Sequence, residues 1–275
     1  MKEVPLRVPR LVAFDVDGTL LSSDHDILDS TREAIDRVRS VGATVMIASG
    51  RPVAGLRFQV ARLGLATDGL VLAGCNGAVI EDATTGEVLN SWPVPAHVSA
   101  RVYRGLRELP VSTIVPVGDQ VFIEDPEGHM VHLEARANGT REVVVEDLFA
   151  AAPTPPKILV SAPYEVLVQH REAIDALGGD EAETCFSSTY YYEVNAAGVS
   201  KGAALAAFCA ARGIPLERTV AFGDNENDIT MVRTAGVGVA MGNAIDALKE
   251  VADVVTASND DHGIAQVLLG MTVPA

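Results

Sequence analysis

The sequence predicts an α/β protein: a Rossmann-like, three-layer core around a mainly parallel sheet, interrupted by an inserted α+β domain. Three observations carry that prediction. Short apolar runs alternate with helix-period segments in the N-terminal third, the same alternation returns after Val199, and a proline-punctuated stretch of different rhythm lies between them. A chain of 275 residues suits one main domain with a sizeable insertion. The expected boundaries are 1–92 and 194–275 for a discontinuous core and 93–193 for the insertion.

Taken in order, Leu11–Phe14 is an apolar run bounded by Pro9 and by the turn pair Asp17 and Gly18, which suits a strand buried on both faces. Ser30 and Glu33 have capping-box spacing, Ala34, Ile35, Val38 and Val41 recur at helical intervals, and Gly42 stands where a helix ends. Thr44–Ala48 reads as a second strand, 53–63 as a helix, 70–73 as a third strand, and Asn76 and Gly77 as a turn before a strand at 78–80. In the insertion, VFIEDPEGHMVHLEA reads as a hairpin, KILVSA as a strand, 164–177 as a helix and TCFSSTYYYEV as two further strands. Beyond Val199, strands are expected at 219–222, Val237–Ala240 and 253–255, with helices between them. Ligands of such βαβ series collect at the carboxyl ends of the strands.

Composition narrows the function classes. The chain is 48% hydrophobic and 21% charged, within the range of ordinary globular proteins. Its 37 acidic and 21 basic side chains give a net charge of −16, which repels nucleic acid and anionic membranes and favours small ligands or cations. The opening lacks the apolar region of a signal peptide and no run of about 18 apolar residues occurs, so a soluble cytoplasmic protein is expected. Cys75, Cys185 and Cys209 are odd in number and far apart, which suggests neither a disulfide framework nor a zinc site.

Four segments carry chemistry. FDVDGTLL places Asp15 at a strand end with Asp17 two residues on, so that one carboxylate can attack phosphorus while the other shuttles a proton. An EF-hand is excluded by spacing, because Gly18 is fourth from Asp15 rather than sixth. IASGRP offers Ser49 and the Gly50 N–H for a phosphoryl oxygen, with Arg51 as a further charge. GVSKGAAL puts Lys201 at the start of a helix, where an ammonium could neutralise Asp15 and a transferring phosphoryl group, although the P-loop order is absent. VAFGDNEND ends a strand in Asp224, Asn225, Glu226, Asn227 and Asp228, which would repel one another unless a hard cation gathered them, and magnesium suits such a set.

In this order the four segments resemble the motifs of the haloacid dehalogenase superfamily, and GVAMGNA with ADVVTASNDDHGIA resembles its Cof-type branch, whose large α/β cap the insertion also resembles. The resemblance implies Asp15 as nucleophile and Asp17 as general acid and base. Asp15, the Asp17 main chain and Asp224 would hold Mg2+, with Asp228 orienting its waters. Val16 N–H, Ser49, Gly50, Lys201 and Asn227 would bind phosphate, and cap residues would meet the leaving group. Dehalogenases of the family lack the second carboxylate, so Asp17 points to phosphorus chemistry. The expectation is a magnesium-dependent phosphatase acting on a small phosphorylated metabolite, a sugar phosphate first, as a monomer or homodimer. The alternatives are a phosphomutase or phosphotransferase using the same intermediate, and a phosphometabolite-binding protein without turnover.

Three weaker signals complete the reading. His129 and His132, three apart in the expected hairpin, would face opposite sides of a strand. GVGVAMG misses the GxGxxG spacing of a dinucleotide site. Tyr190, Tyr191 and Tyr192 would alternate across a strand, with at least one facing solvent or substrate.

Overall fold

The computed structural model describes residues 9–271. The chain gathers into two compact units, one running to Ser49 and taking in Val60–Leu89 and everything from Ser200, the other made of Gly50–Gln59 and Asn90–Val199.

The first unit opens with strand β1 (Leu11–Phe14), helix α1 (Asp29–Ser40) and strand β2 (Thr44–Ala48). Helix α2 (Val53–Arg62) follows, its first residues grouped with the second unit, and then strands β3 (Leu70–Gly74), β4 (Val79–Asp82) and β5 (Val88–Ser91). Helix α1 buries Thr31, Ala34, Ile35 and Val38 along one face and carries Arg37 and Arg39 in its last turn, where the helix dipole favours cations. Its expected capping box does not form. The helix starts one residue before Ser30, its N-cap is Leu28 with no side-chain acceptor, and the Ser30 hydroxyl instead meets His262 Nδ1 at 2.7 Å.

The second unit holds helix α3 (Ala96–Leu106), strands β6 (Ser112–Val117) and β7 (Gln120–Ile123), helix α4 (Val131–Asn138), strand β8 (Arg141–Val144) and helix α5 (Leu148–Ala151). Strand β9 (Lys157–Ser161), helix α6 (Tyr164–Gly178) and strands β10 (Ala182–Ser188) and β11 (Tyr191–Ala196) complete it. Its sheet runs β10-β11-β9-β6-β7-β8 and is antiparallel except for the β7–β8 pair. That parallel pair corrects the expected hairpin, because parallel neighbours need a crossover, and α4 supplies it. The sequence 131–138 buries Val131, Glu134, Ala135 and Asn138, a helical spacing that the short strand-like run before it obscures. His129 and His132 are therefore not strand neighbours: His129 Nδ1 meets Ser161 Oγ at 3.0 Å, and His132, on α4, meets Glu142 at 2.8 Å.

Both faces of this sheet are covered. Val98, Val102, Tyr103 and Leu106 of α3 and Leu167 and Ile174 of α6 pack with Val115, Ile158, Val160, Tyr192 and Val194, while Val131 and Ala135 of α4 pack with Ile114, Val121, Leu159 and Tyr191. Tyr191 and Tyr192 thus alternate as expected and each enters a core, while Tyr190 lies in the turn before β11 and stays partly exposed. The Tyr192 hydroxyl donates to Asp175 at 2.7 Å and that of Tyr191 to the Met130 carbonyl at 2.8 Å, which satisfies both buried groups.

The chain then returns to the first unit through helix α7 (Lys201–Arg212), strand β12 (Thr219–Gly223), helix α8 (Ile229–Thr234), strand β13 (Val237–Ala240), helix α9 (Asp246–Lys249), strand β14 (Val254–Val255) and helix α10 (Gly263–Gly270). The eight-stranded sheet has the order β14-β13-β12-β1-β2-β3-β4-β5, with its central pairs parallel. The expected α/β fold with a mainly parallel sheet is therefore the one that forms. Strands β1 and β12 are buried along their whole length, which is why they read as unbroken apolar runs. Phe14 and Phe222 stack with ring centroids 5.3 Å apart, and truncating either to alanine would cost about 3–5 kcal/mol.

One charged network in the second unit makes its stability depend on acid. The Arg107 guanidinium bonds Glu124 and Asp147, and Glu124 also accepts the Leu148 N–H. Hydrogen bonding from Arg107 holds the Glu124 carboxyl below its ordinary range, and the Phe149 N–H does the same for Asp147. A carboxyl depressed in the folded state contributes stability above its unfolded pKa and loses it as pH falls through the folded value. Thermal unfolding of wild type should therefore fall more steeply below about pH 4 than that of Glu124→Gln; parallel curves would show that this network is not acid-sensitive.

Candidate active site

Strand β1 lies between β2 and β12, so the chain leaves it in one direction toward β3 and is flanked on the other side by strands that arrive much later in sequence. In open α/β sheets that reversal opens a crevice at the carboxyl ends of the strands. Phe14 and Phe222 are in register, and the Asp15 N–H donates to the Phe222 carbonyl at 3.0 Å, so Asp15, next after Phe14, and Asp224, two residues beyond Phe222, emerge side by side. The register of two buried strands sets this meeting.

The turn after β1 brings the carboxylates closer. Gly18 has φ +85°, and a Cβ there would lie 2.5 Å from Asp224 Oδ2, so glycine alone permits both the turn and the approach of that carboxylate. The buried Thr19 hydroxyl donates to Asp224 Oδ1 at 2.7 Å. Asn243 Nδ2 donates to the Gly18 carbonyl at 2.8 Å, Asn259 Nδ2 donates to the Leu21 carbonyl at 2.8 Å, and Asn243 Oδ1 accepts the Asn259 N–H at 3.1 Å. Two distant loops thus brace the turn that carries Asp17.

Lys201 enters from the first turn of α7, whose N-cap Ser200 accepts the Ala203 N–H. It is wholly buried, and its ammonium donates to Asp15 Oδ1 at 2.5 Å and to Asp228 Oδ1 at 2.6 Å. Asp228 is equally buried, and its other oxygen accepts the N–H groups of Asp224 and Asn225, both at 3.0 Å. Asp228 therefore fixes the loop that carries Asp224 while sharing the ammonium with Asp15. Removing one partner of such a buried pair leaves an uncompensated charge and costs several kcal/mol, about 3–5.

The carboxylates outnumber the ammonium. Burial and then the charge of Asp228 push the Asp15 carboxyl up to about 8 even against the nearby Lys201. Burial also raises Asp224, partly offset by the Thr19 hydroxyl. For Lys201, burial alone would lower the pKa, but Asp15 and Asp228 outweigh it and hold the group charged above its ordinary range. One carboxylate oxygen from each of Asp15, Asp224 and Asp228 lies within 4.8 Å of the others. Hard oxygen donors gathered this closely at the cost of mutual repulsion fit a divalent cation.

The remaining expected residues are distributed as follows. Asp17 is exposed on the same turn, bridged to Leu21, and Val16 is buried beside Asp15, its carbonyl accepting the Leu21 N–H at 3.0 Å. Ser49 is buried at the end of β2, and Asn227 is exposed beside Asp228. Gly50 and Arg51 belong with the second unit, where the Gly50 carbonyl accepts from Lys157 Nζ at 2.9 Å and the Arg51 guanidinium donates to the Ala137 carbonyl at 3.4 Å. Thr19, Asn243 and Asn259 carry no expectation from sequence. The signal for the two asparagines is the similarity of the tail segments that contain them, and Thr19 lies within FDVDGTLL.

The family pattern of haloacid dehalogenase-like hydrolases matches residues 12–268, nearly the whole chain. The chain belongs to the haloacid dehalogenase family. This haloacid dehalogenase-like hydrolase is 30% identical to the pyridoxal phosphate phosphatase YbhA of Escherichia coli, over 94% of the chain and 97% of the relative. A haloacid dehalogenase-like hydrolase from Bacteroides thetaiotaomicron shares its structure with a TM-score of 0.86 at 28% identity, over 96% of this chain and 100% of that one. A subclass IIB sugar phosphatase matches with a TM-score of 0.76 at 26% identity, over 96% and 100% of the two chains. Among the described residues no helix is long and apolar enough to cross a membrane.

Because a cation that binds only the folded state stabilises it, a divalent metal should raise the Tm of metal-stripped protein, by the equivalent of about 2.7 kcal/mol at a hundredfold excess over Kd. Asp224→Asn should remove that rise and Gly18→Ala should weaken it. A full rise in Asp224→Asn, measured by calorimetry, would show that the cation binds elsewhere.

Proposed function

We propose that the protein is a magnesium-dependent phosphatase that hydrolyses a small phosphorylated metabolite through a phosphorylated Asp15. The observation that carries this reading is the buried Lys201 ammonium 2.5 Å from Asp15 Oδ1, beside Asp224, at the mouths of two paired strands. A carboxylate approaches a phosphate dianion only where positive charge offsets the repulsion, and that arrangement provides it.

Asp15, Asp224 and the Asp17 main chain would hold Mg2+, with Asp228 fixing the loop that carries Asp224. When bound, the ion supplies charge neutralisation of the phosphoryl oxygens. The steps themselves fall to this chain's side chains. An Asp15 oxygen attacks phosphorus in line as the bond to the ester oxygen breaks, and Asp17, protonated, gives its proton to the departing alkoxide. Asp17 then takes a proton from the water that attacks phosphorus, the acyl phosphate bond breaks, and Asp15 and inorganic phosphate are released. Asp17 suits this exchange because it is exposed, whereas Asp15 is buried and tied to Lys201. The Ser49 hydroxyl, the Val16 N–H and the Asn227 carboxamide would hold phosphoryl oxygens, and Lys201 would hold the charge of Asp15 in both steps.

A sugar phosphate is the first substrate class, supported by the likeness to a sugar phosphatase, with cofactor phosphates next because a relative acts on pyridoxal phosphate. The net charge of −16 agrees with a protein that binds neither nucleic acid nor anionic membrane; a cytoplasmic monomer or homodimer completes the reading.

With magnesium and a chromogenic phosphate ester, Asp15→Asn should lose all measurable turnover, and Asp17→Asn should fall by about 10²–10⁴, the usual contribution of general acid–base catalysis. Undiminished hydrolysis by pure Asp15→Asn would rule the scheme out. Across a panel of phosphorylated metabolites, kcat/KM should be highest on sugar phosphates, and product that appears only with an alcohol acceptor would indicate a phosphotransferase instead.

A further inference from the structure

The segment that follows β3 is bent in a way that its sequence does not require. Cys75, Asn76 and Gly77 have φ of 52°, 54° and 97° in succession. Asparagine tolerates the left-handed region because its short side chain can bond locally, whereas cysteine enters it less often. Gly77 seats the turn against α7, since a Cβ at that position would lie 2.8 Å from the Ser200 carbonyl oxygen and 2.6 Å from Ala204 Cβ. Strain of this kind persists only where surrounding contacts over-determine it, and such positions concentrate at functional sites.

The contacts of the turn converge on two groups already placed near the phosphoryl site. The Asn76 N–H donates to the Ser49 carbonyl at 2.8 Å, and the Asn76 side-chain Oδ1 accepts from Asn227 Nδ2 at 3.1 Å. Ser49 follows β2 and Asn227 follows β12, strands separated by β1 in the sheet. A single residue therefore links the segments that follow these two strands, whose ends β1 already holds at a fixed separation. Asn227 is exposed, so its carboxamide would otherwise sample several rotamers, and fixing it in advance lowers the entropy lost when a ligand oxygen is bound.

We infer that Asn76 is a positioning residue for phosphate binding: its side-chain oxygen aims the Asn227 carboxamide while its N–H holds Ser49 in place. The inference rests on the phosphatase reading. It differs from a purely structural role in one respect, that the side-chain oxygen matters and not only the left-handed backbone.

Asn76→Gly separates the two roles, because glycine adopts the same φ and keeps the N–H to Ser49 but lacks the acceptor for Asn227. Steady-state kinetics with p-nitrophenyl phosphate and magnesium should show KM raised by roughly 5–10-fold with kcat changed far less, and Tm should move by no more than a few degrees. Asn227→Ala should give a similar rise in KM, and Asn76→Gly/Asn227→Ala should be no worse than Asn227→Ala, because coupled residues are not additive. Kinetics of Asn76→Gly equal to those of wild type, or effects that multiply in the double variant, would overturn the inference and leave the phosphatase reading intact. A wild-type protein inert toward every phosphate ester would overturn both.

Discussion

Three buried or half-buried carboxylates held around one buried ammonium form the constraint on which the rest of the first unit depends. Asp15, Asp224 and Asp228 are separated by more than two hundred residues of sequence at the extreme, yet one oxygen of each comes within 4.8 Å of the others. Nothing in the local chemistry of those segments would assemble such a cluster, since like charges raise each other's energy when desolvated. The work is done by the apolar strands beneath. Pairing of β1 with β12 in fixed register buries LVAF and TVAFG and delivers the acidic residues to neighbouring strand ends whether or not their charges are content there.

The surroundings then temper the repulsion by specific means. Lys201 divides its charge between Asp15 and Asp228, Thr19 bonds Asp224, and two backbone N–H groups bond Asp228. Gly18 contributes by having no side chain, since a Cβ would meet the Asp224 carboxylate. Each device lowers the cost of bringing the groups together, which leaves a site poised for a cation and for an incoming dianion. Hydrophobic burial thus supplies the stability that an electrostatically unfavourable but chemically capable site consumes.

The strands and most helices were legible in the sequence because buried parallel strands leave unbroken apolar runs and amphipathic helices leave a regular spacing. So were Asp15, Lys201 and Asp224, because each stands where an apolar run or a helix start meets a charged residue. The capping of α1 was not legible, since Ser30 and Glu33 have the right spacing but the helix begins a residue earlier. Nor was α4, where Phe122, Ile123, Met130 and Val131 resemble paired strands and only the later crossover to a parallel β8 distinguishes them. The bracing roles of Thr19, Asn243 and Asn259 depend on hydrogen bonds between segments far apart in sequence, and no local pattern records those. Asn76 and Gly77 read as an ordinary turn, and their left-handed geometry became visible only in the backbone angles.

The proposed covalent role of Asp15 can be tested at the atom concerned. Protein quenched during turnover of a phosphate ester and treated with borohydride should carry a homoserine at position 15, because hydride reduces an acyl phosphate to an alcohol but leaves a free carboxylate untouched. Peptide mass spectrometry should find that conversion at residue 15 and at no other carboxylate, and only when substrate is present. Steady turnover with no reduced residue at position 15, or with the reduction at another carboxylate, would contradict the account.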